Sequence, residues 1–195
     1  AVTKGATATT VQVNALKTVA LPTLTDEDVI IASGDGNDTI NITGTTTNNQ
    51  TISVNGGSPT SNNGGASDTV TIAMTTAGTT TVSPGATPDA GVVLSPDGNT
   101  NFSGIEFITL TGAVAPAANT VVAQGTNGSD TFALQNLGGA NRFWIDDRAV
   151  VSFSNYQTVN LNGQFGDDTF SVTPAALVGV TTVNVDGGDP TASDN

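Results

Sequence analysis

The sequence has 195 residues, of which 36% are hydrophobic, 11% are charged and 5% are aromatic. Its 17 acidic and 4 basic residues give a net charge of −13, and it contains neither Cys nor His. This composition excludes thiol chemistry, imidazole catalysis and the usual Zn, Cu or haem ligands. It also disfavours nucleic-acid partners, because few cations are present to neutralise phosphate.

Short alternating runs of Thr, Val and other apolar residues recur along the chain, separated by turns of Gly, Asn and Asp. Thr and Val favour strands, whereas Gly, Asn and Asp favour tight turns. No stretch shows sustained 3.6-residue periodicity, and none is apolar for long enough to span a bilayer. The sequence therefore predicts an all-β protein without membrane insertion.

One fifteen-residue pattern occurs three times without a gap, at 28–42, 120–134 and 158–172. In each copy, apolar residues alternate before a Gly/Asn/Asp turn, and an Asp-Thr pair then opens a second alternating run. Looser copies occupy 51–72 and 182–194. Such self-similarity is typical of a repeat architecture, which builds length and surface rather than a catalytic pocket.

A longer repeat contains the short one. Residues 29–42 match 159–172 at an offset of 130, and 52–60 match 183–191 at an offset of 131. The sequence therefore predicts three segments. They are a leading segment continuing from an upstream module (1–28), a first module of about 130 residues with an irregular Pro-rich insertion near 75–101 (29–158), and the start of a second module (159–195).

The short spacing predicts the architecture. Val29 precedes Ile52 by 23 residues, and Val159 precedes Val183 by 24. Rungs of that size predict a parallel β-helix, or β-solenoid, in which about eight coils at about 4.8 Å each form a rod of about 40 Å. Tandem antiparallel β-sandwich modules are the alternative, because strand, turn and strand also describe a hairpin. Recurrence of the motif inside the long repeat favours the solenoid.

The turns at 33–41, 125–133 and 163–171 fit the pattern G-x-x-G-x-D-x-U-x, where U is a large apolar residue. Here the chain resembles the haemolysin-type (RTX) calcium-binding nonapeptides, and over most of its length it resembles the Thr/Asp-rich repeats of large bacterial cell-surface proteins. The resemblance implies an extracellular or cell-surface location and Ca²⁺ as a cofactor. The implied ligands are Asp35, Asp38, Asp130, Asp167 and Asp168.

The pattern departs from the RTX family in one respect, because RTX sites share each ion between back-to-back turns and these copies stand apart. Ca²⁺ takes six to eight oxygen ligands, more than one isolated turn offers. Stacking of coils would place Asp38 near Asp68, and Asp168 near Asp194, and could rebuild a site. The alternative is that these acids cap turns by accepting hydrogen bonds from backbone amides two residues on.

A second candidate site is the segment 141–148, which holds both arginines of the repeat region and the single Trp. Trp144 would stack on a sugar, Asp146 and Asp147 would bind hydroxyl groups, and Arg142 would lie beside them. The alternative interpretation is structural: Phe143 and Ile145 pack inward while the arginines pair with acids at the surface.

These patterns predict a non-enzymatic structural module of a secreted or cell-surface bacterial protein, such as a fibre, sheath, surface layer or adhesin stalk. Its expected partners are neighbouring copies or modules of the same protein, joined end to end or laterally. A carbohydrate-binding or adhesive module is the alternative. A polysaccharide-cleaving β-helix enzyme is less favoured, because nothing in the sequence marks Glu106 or Asp97 as a catalytic pair.

Overall fold

The computed structural model describes residues 28–44, 51–58, 67–114 and 118–189, together with the backbone of three strands that precede residue 23. The predicted all-β class is confirmed: the regular structure in this part of the chain is strand, apart from one 3₁₀ turn at Pro174–Ala176. None of the described segments forms an apolar helix of membrane-spanning length.

Eighteen strands are described, and they are numbered in chain order. The first six are β1 (Val2–Lys4), β2 (Ala8–Val11), β3 (Val19–Pro22), β4 (Val29–Ala32), β5 (Thr39–Thr43) and β6 (Ile52–Asn55). The next six are β7 (Thr69–Ala73), β8 (Thr79–Pro84), β9 (Gly91–Ser95), β10 (Gly98–Ser103), β11 (Phe107–Thr111) and β12 (Thr120–Gln124). The last six are β13 (Thr131–Leu137), β14 (Ala140–Ile145), β15 (Val150–Ser154), β16 (Thr158–Asn162), β17 (Thr169–Val172) and β18 (Thr182–Asp186).

The strands form two sheets. A ten-stranded sheet has the order β17–β13–β14–β15–β11–β7–β5–β1–β2–β3, and an eight-stranded sheet has the order β18–β16–β12–β8–β9–β10–β6–β4. The chain passes from one sheet to the other at most connections, as in the run β4, β5, β6 and β7. Strands that follow each other in sequence therefore often lie in different sheets.

Both sheets are mixed. Ten of the described pairings are parallel, and six are antiparallel. The antiparallel pairings belong to three meanders, β1–β2–β3, β8–β9–β10 and β13–β14–β15. The predicted rung spacing occurs where β4 pairs with β6 and β16 pairs with β18. The spacing is longer in other pairings, and between Thr120 and its partner Thr158 the added length is a meander.

The Pro-rich stretch 75–101 differs from its predicted irregular form. Most of it folds into β8, β9 and the start of β10, which occupy the middle of the eight-stranded sheet. Pro84 is the last residue of β8, and Pro88 and Pro96 lie in the connections that follow β8 and β9. Proline lacks an amide donor and is tolerated at such strand ends, so these prolines mark turns and do not interrupt the sheet.

The two sheets share one core. Along many of the strands from β5 to β16, apolar residues alternate with Thr, Asn and Ser, and the apolar face is the buried one. Val121 and Leu161 in the eight-stranded sheet and Phe132 and Leu110 in the ten-stranded sheet are at most 1% exposed and belong to one cluster. The period-two pattern of the sequence therefore decides which side of each sheet faces the other sheet.

The strand pairing repeats along the chain. Val29 pairs with Ile52 between β4 and β6, and Val159 pairs with Val183 between β16 and β18, at offsets of 130 and 131. The loops beyond these strands repeat as well: the isolated parallel bridge between Asp35 and Ser58 recurs between Phe165 and Asp189 at the same two offsets. The 130-residue sequence repeat is therefore also a repeat of backbone pairing.

The repetition extends upstream of residue 29. Val2 pairs with Val11 between β1 and β2, as Leu134 pairs with Phe143 between β13 and β14, and both offsets are 132. The β2–β3 register matches the β14–β15 register at 132 throughout. Strands β1 to β6 therefore reproduce the topology and pairing of β13 to β18.

Candidate functional site

Acidic residues precede successive parallel strands of the ten-stranded sheet, and their carboxylates bind the backbone of the neighbouring strand. Asp38, Asp68 and Glu106 stand directly before β5, β7 and β11. The Asp38 amide donates to Asp68 Oδ1 at 2.7 Å, and the Asp68 amide donates to Glu106 Oε2 at 2.7 Å. We call these three residues the first acid ladder.

A second acid ladder lies before β13 and β17 and consists of Asp130 and Asp168. The Asp130 amide donates to Asp168 Oδ1 at 2.8 Å. The Asp130 carboxylate in turn accepts the amide and the hydroxyl of Thr126, with Oδ2 at 2.7 Å from the amide nitrogen. Each of these two carboxylates thus accepts a backbone amide that does not take part in the hydrogen bonds between strands.

Burial makes the first ladder electrostatically unusual. Asp68 is fully buried and Glu106 is 2% exposed. Burial raises the pKa of Asp68 because it disfavours the charged form; the hydrogen bond from the Asp38 amide lowers this pKa, and the charge of Asp38 raises it. The pKa of Glu106 is raised for the same main reason, burial. Asp68 Oδ2 and Glu106 Oε1 accept no hydrogen bond from the described residues.

Glycines pack directly against the ladder carboxylates. Gly125 and Gly163 follow β12 and β16, and a Cβ at these positions would approach Asp130 Oδ2 and overlap Asp168 Oδ2, respectively. Gly56, which follows β6, stands in the same relation to Asp68. Spatial closeness, and not a left-handed backbone, therefore requires glycine here, since none of the three has a positive φ.

The predicted calcium ligands fall into two groups. Asp38, Asp130 and Asp168 are ladder residues at the strand starts, whereas Asp35 and Asp167 are exposed in the turns before them. No group of three acids that could hold a metal ion occurs in the described ranges. Calcium binding by these residues stays a prediction.

Coil stacking correctly predicts that Asp38 lies beside Asp68. The other predicted neighbour pair involves Asp194, which lies outside the described residues. The alternative, in which the acids accept amides two residues on, is not the geometry found for Asp68 and Asp168: their carboxylates accept amides of adjacent strands. In-register parallel pairing explains this, because it places one strand-start acid beside the next.

The Trp-containing segment forms β14 and the turn after it. Phe143 and Ile145 are buried, as the structural alternative predicts, whereas Trp144 is half-buried on the opposite face and stands across from Ala133. The pairing of the arginines with acids is not found for Arg148, whose Nη1 donates to the Gly85 carbonyl oxygen at 2.9 Å.

The other predicted glycan-binding residues have different surroundings. Arg142 lies on the same face of β14 as Trp144. Asp146 has a φ of 51° and accepts the Thr131 amide through Oδ1 at 2.8 Å, so it serves the start of β13. Asp147 is exposed in the turn. Of the four residues, Arg142 and Trp144 share a face, and Asp146 is already engaged by the backbone.

Trp144 also lines a small cleft with the Pro-containing connection between β8 and β9. Pro84, Pro88 and Arg148 line it as well, together with core residues such as Phe143. The structure thus brings together two features that are far apart in sequence, the Trp segment and the Pro-rich stretch. The cleft is largely apolar, and its free volume of about 20 Å³ has room for a water molecule but not for a sugar ring.

Sequence reasoning missed the roles of Glu106 and Asp146. The sequence did contain a signal for Glu106. The pair Glu106-Phe107 at the start of β11 takes the place of Asp68-Thr69 at the start of β7, and Phe107 pairs with Thr69. Asp146 gave no such signal, since its contact with Thr131 depends on the β13–β14 hairpin.

Comparisons with protein-family profiles, curated protein sequences and solved structures gave no match. The functional argument therefore depends on the residues and the geometry described above.

Proposed function

We propose that this chain is a structural repeat segment of a bacterial secreted or cell-surface protein, of the kind that builds a fibre, sheath, surface layer or adhesin stalk. The single observation that supports this most is the continuation of both sheets through the long repeat. Strand β16 pairs in parallel with β12, and β17 pairs in parallel with β13, so the second copy extends the sheets of the first. The work of such a segment is mechanical and requires no enzymatic residues.

The proposed architecture is a flattened β-solenoid with inserted meanders. The alternating course of β4 to β7 between the two sheets supports it, and so does the shared core. Neighbouring copies or modules of the same protein are the proposed partners, because a stack of this kind presents open strand edges at its ends.

Electron microscopy of the native material, combined with gold-labelled antibodies against this chain, tests the proposal. We expect label on the cell surface, on filaments or on a lattice. Label confined to the cytoplasm, or to dispersed globular particles, would overturn the proposal.

Calcium binding is a separate part of the proposal, because Asp38 and Asp168 each keep one buried carboxylate oxygen without a hydrogen bond in the described structure. We expect Ca²⁺ to raise the melting temperature and EDTA to lower it, since a ligand at 100 times its Kd stabilises the folded state by about 2.7 kcal/mol. Asp167→Asn should weaken the effect, and Asp147→Asn should not. A melting temperature that changes with neither Ca²⁺ nor EDTA would contradict calcium binding without contradicting the proposed structural function.

A carbohydrate-binding or adhesive module is the second candidate. The half-buried Trp144, which shares one face of β14 with Arg142, favours it. Titration with a panel of glycans should then change the fluorescence of the single Trp, and Trp144→Ala should abolish binding. Trp144 fluorescence that stays unchanged with every glycan of the panel would contradict this candidate function.

A further inference from the structure

The two sheets end together at β17 and β18. Each of these strands is the last of its sheet, with β13 and β16 as their single described neighbours. We call this end of the molecule the β17–β18 end. Because β5 and β6 are the equivalents of β17 and β18 in the long repeat, the structure itself displays what such an end looks like when it is covered.

Apolar side chains at the β17–β18 end are less buried than their equivalents. Val54 on β6 is 2% exposed, whereas Val185, at the same position of β18, is 50% exposed. Ile42 on β5 is 2% exposed, whereas its equivalent Val172 is half-buried. The difference arises from the next strands, since β7 covers β5 and β10 covers β6.

Backbone groups show the same difference. The Asp38 carbonyl oxygen accepts the Thr69 amide of the next strand at 2.8 Å, and the Asp38 amide donates to Asp68 Oδ1. Asp168 is the equivalent of Asp38, and it lies at an edge that no described strand covers. The second acid ladder is thus open on the side where the first continues.

A pair of equivalent glycines shows that room is left for the missing strands. A Cβ at Gly56 would overlap the Gly104 carbonyl oxygen and approach Asp68 Oδ2 to 2.8 Å. At Gly187, the equivalent position, the nearest atom of the described residues is a ring carbon of Phe170 at 4.0 Å. Among the described residues, nothing fills at this end the space that Gly104 and Asp68 fill at the other.

We propose that the β17–β18 end binds the next repeat of this same module, a segment with the sequence pattern of residues 61–191. A strand that begins with Asp-Thr, like β7, would pair in parallel with β17, and one like β10 would pair with β18. The inference rests on the proposed structural function and gives its partner: further copies of the module itself, added in register and not through a flexible joint.

The geometry sets the size of each addition. From β3 to β15, and from β4 to β16, the same strand recurs six positions further along its sheet. With strands about 4.8 Å apart, each module of about 131 residues lengthens the stack by about 29 Å. A tandem array would then be one continuous double sheet.

A tandem polypeptide tests this. Residues 1–191 are followed directly by a second copy of 61–191, because the Pro-Thr pair at 190–191 matches the pair at 59–60. Small-angle scattering should show a single rod about 29 Å longer than that of the parent chain. Amides of β17 and β18 that exchange readily in the parent should become protected.

The matched control is Val185→Lys, placed in both polypeptides. In the parent it should leave the melting temperature almost unchanged, because Val185 is half exposed; in the tandem form it should prevent the lengthening and the new protection. Two bodies joined flexibly, or an unfolded second copy, in the unmutated tandem would overturn the inference. That result would leave the outcome of the surface labelling unchanged. Failure of this inference is therefore distinguishable from failure of the proposed function.

Discussion

At the scale of single residues, the strand-start acids act on neighbouring strands and not on their own turns. Asp68 accepts the amide of Asp38, and Glu106 accepts the amide of Asp68, so each acid joins two strands that are 30 or more residues apart in sequence. Hydrogen bonds to a charged acceptor contribute about 1.5–3 kcal/mol each, but the buried carboxylates also lose hydration. The balance between these two effects depends on pH.

We expect the free energy of unfolding to change with pH because of Asp68 and Glu106. Their folded-state pKa values are raised, so the folded protein binds these protons more tightly than the unfolded chain does. Their contribution is therefore complete below the ordinary values of 3.8 and 4.5 and is lost as the pH rises through the raised folded-state values.

Urea unfolding of the chain and of Asp68→Asn, from pH 4 to pH 7 without divalent cations, measures this contribution. Asn keeps an acceptor for the Asp38 amide and removes the charge, so the variant should gain stability relative to the parent as the pH rises. Asp147→Asn, at an exposed position, is the control. A difference between Asp68→Asn and the parent that does not change with pH would contradict the assignment.

Gly163 should be intolerant of any side chain. A Cβ there would overlap the Asp168 carboxylate and lie 2.9 Å from the Gly187 carbonyl oxygen, so Gly163→Ala should lower the free energy of unfolding by about 1–3 kcal/mol. Gly128→Ala is the matched control, because its Cβ would meet only the Thr126 hydroxyl at 3.6 Å. Equal stabilities of the two variants in chemical denaturation would show that the glycine–carboxylate contact has no energetic role.

At the scale of elements, the meanders explain both the success and the limits of sequence prediction. The alternation of Val159 and Leu161 with polar neighbours predicts a strand with one buried face, and the structure confirms it. Asp38 beside Asp68 also follows from the repeat. The position of β8 cannot be predicted from the repeat, because β8 lies three places beyond β6 in its sheet. Its place depends on tertiary pairing, such as the parallel pairing with β12.

Asn141 secures one of these meanders to the rest of the molecule. It is 5% exposed, and it exchanges two hydrogen bonds with the backbone of Val178, at 2.8 Å and 2.9 Å, while accepting a third from Asn136. It therefore ties the start of β14 to the connection between β17 and β18.

Replacing Asn141 with Ala removes both hydrogen bonds to the exposed residue Val178 and should cost about 0.5–1.5 kcal/mol for each bond. Hydrogen exchange of the Val178 amide should accelerate before that of the β14 core. The control is Asn184→Ala, which removes one exposed hydrogen bond to Asn160. An unchanged exchange rate of the Val178 amide in Asn141→Ala would show that Asn141 does not hold this connection in place.

At the scale of the whole molecule, the order of strands in space differs from their order in sequence. Strands β16, β17 and β18 are added one after another at one end. Strand β15, which precedes them in sequence, is enclosed between β14 and β11, so it cannot leave without opening the interior of its sheet. Strand-by-strand loss from this end is therefore limited to three strands.

Native-state hydrogen exchange should reveal this boundary. The amides of β16 to β18 should exchange through small openings, whereas those of β8 to β15 should exchange through one common opening of higher free energy. Mass spectrometry of peptides from each strand measures the two classes. A smooth gradient of protection across β13 to β16, without a step at β15, would contradict the interlocked arrangement.

The acid ladders have a consequence for how such a chain finds its own partners. Its strands are short, similar in composition and numerous, so many wrong pairings bury almost the same apolar surface. A shift of one residue would turn Asp68 out of the buried row that it shares with Val70 and Ile72, and the Asp38 amide would lose its acceptor. Each strand-start acid thus favours the correct strand register over registers shifted by one residue. The same selection acts on a strand of the same molecule and on a strand of another copy.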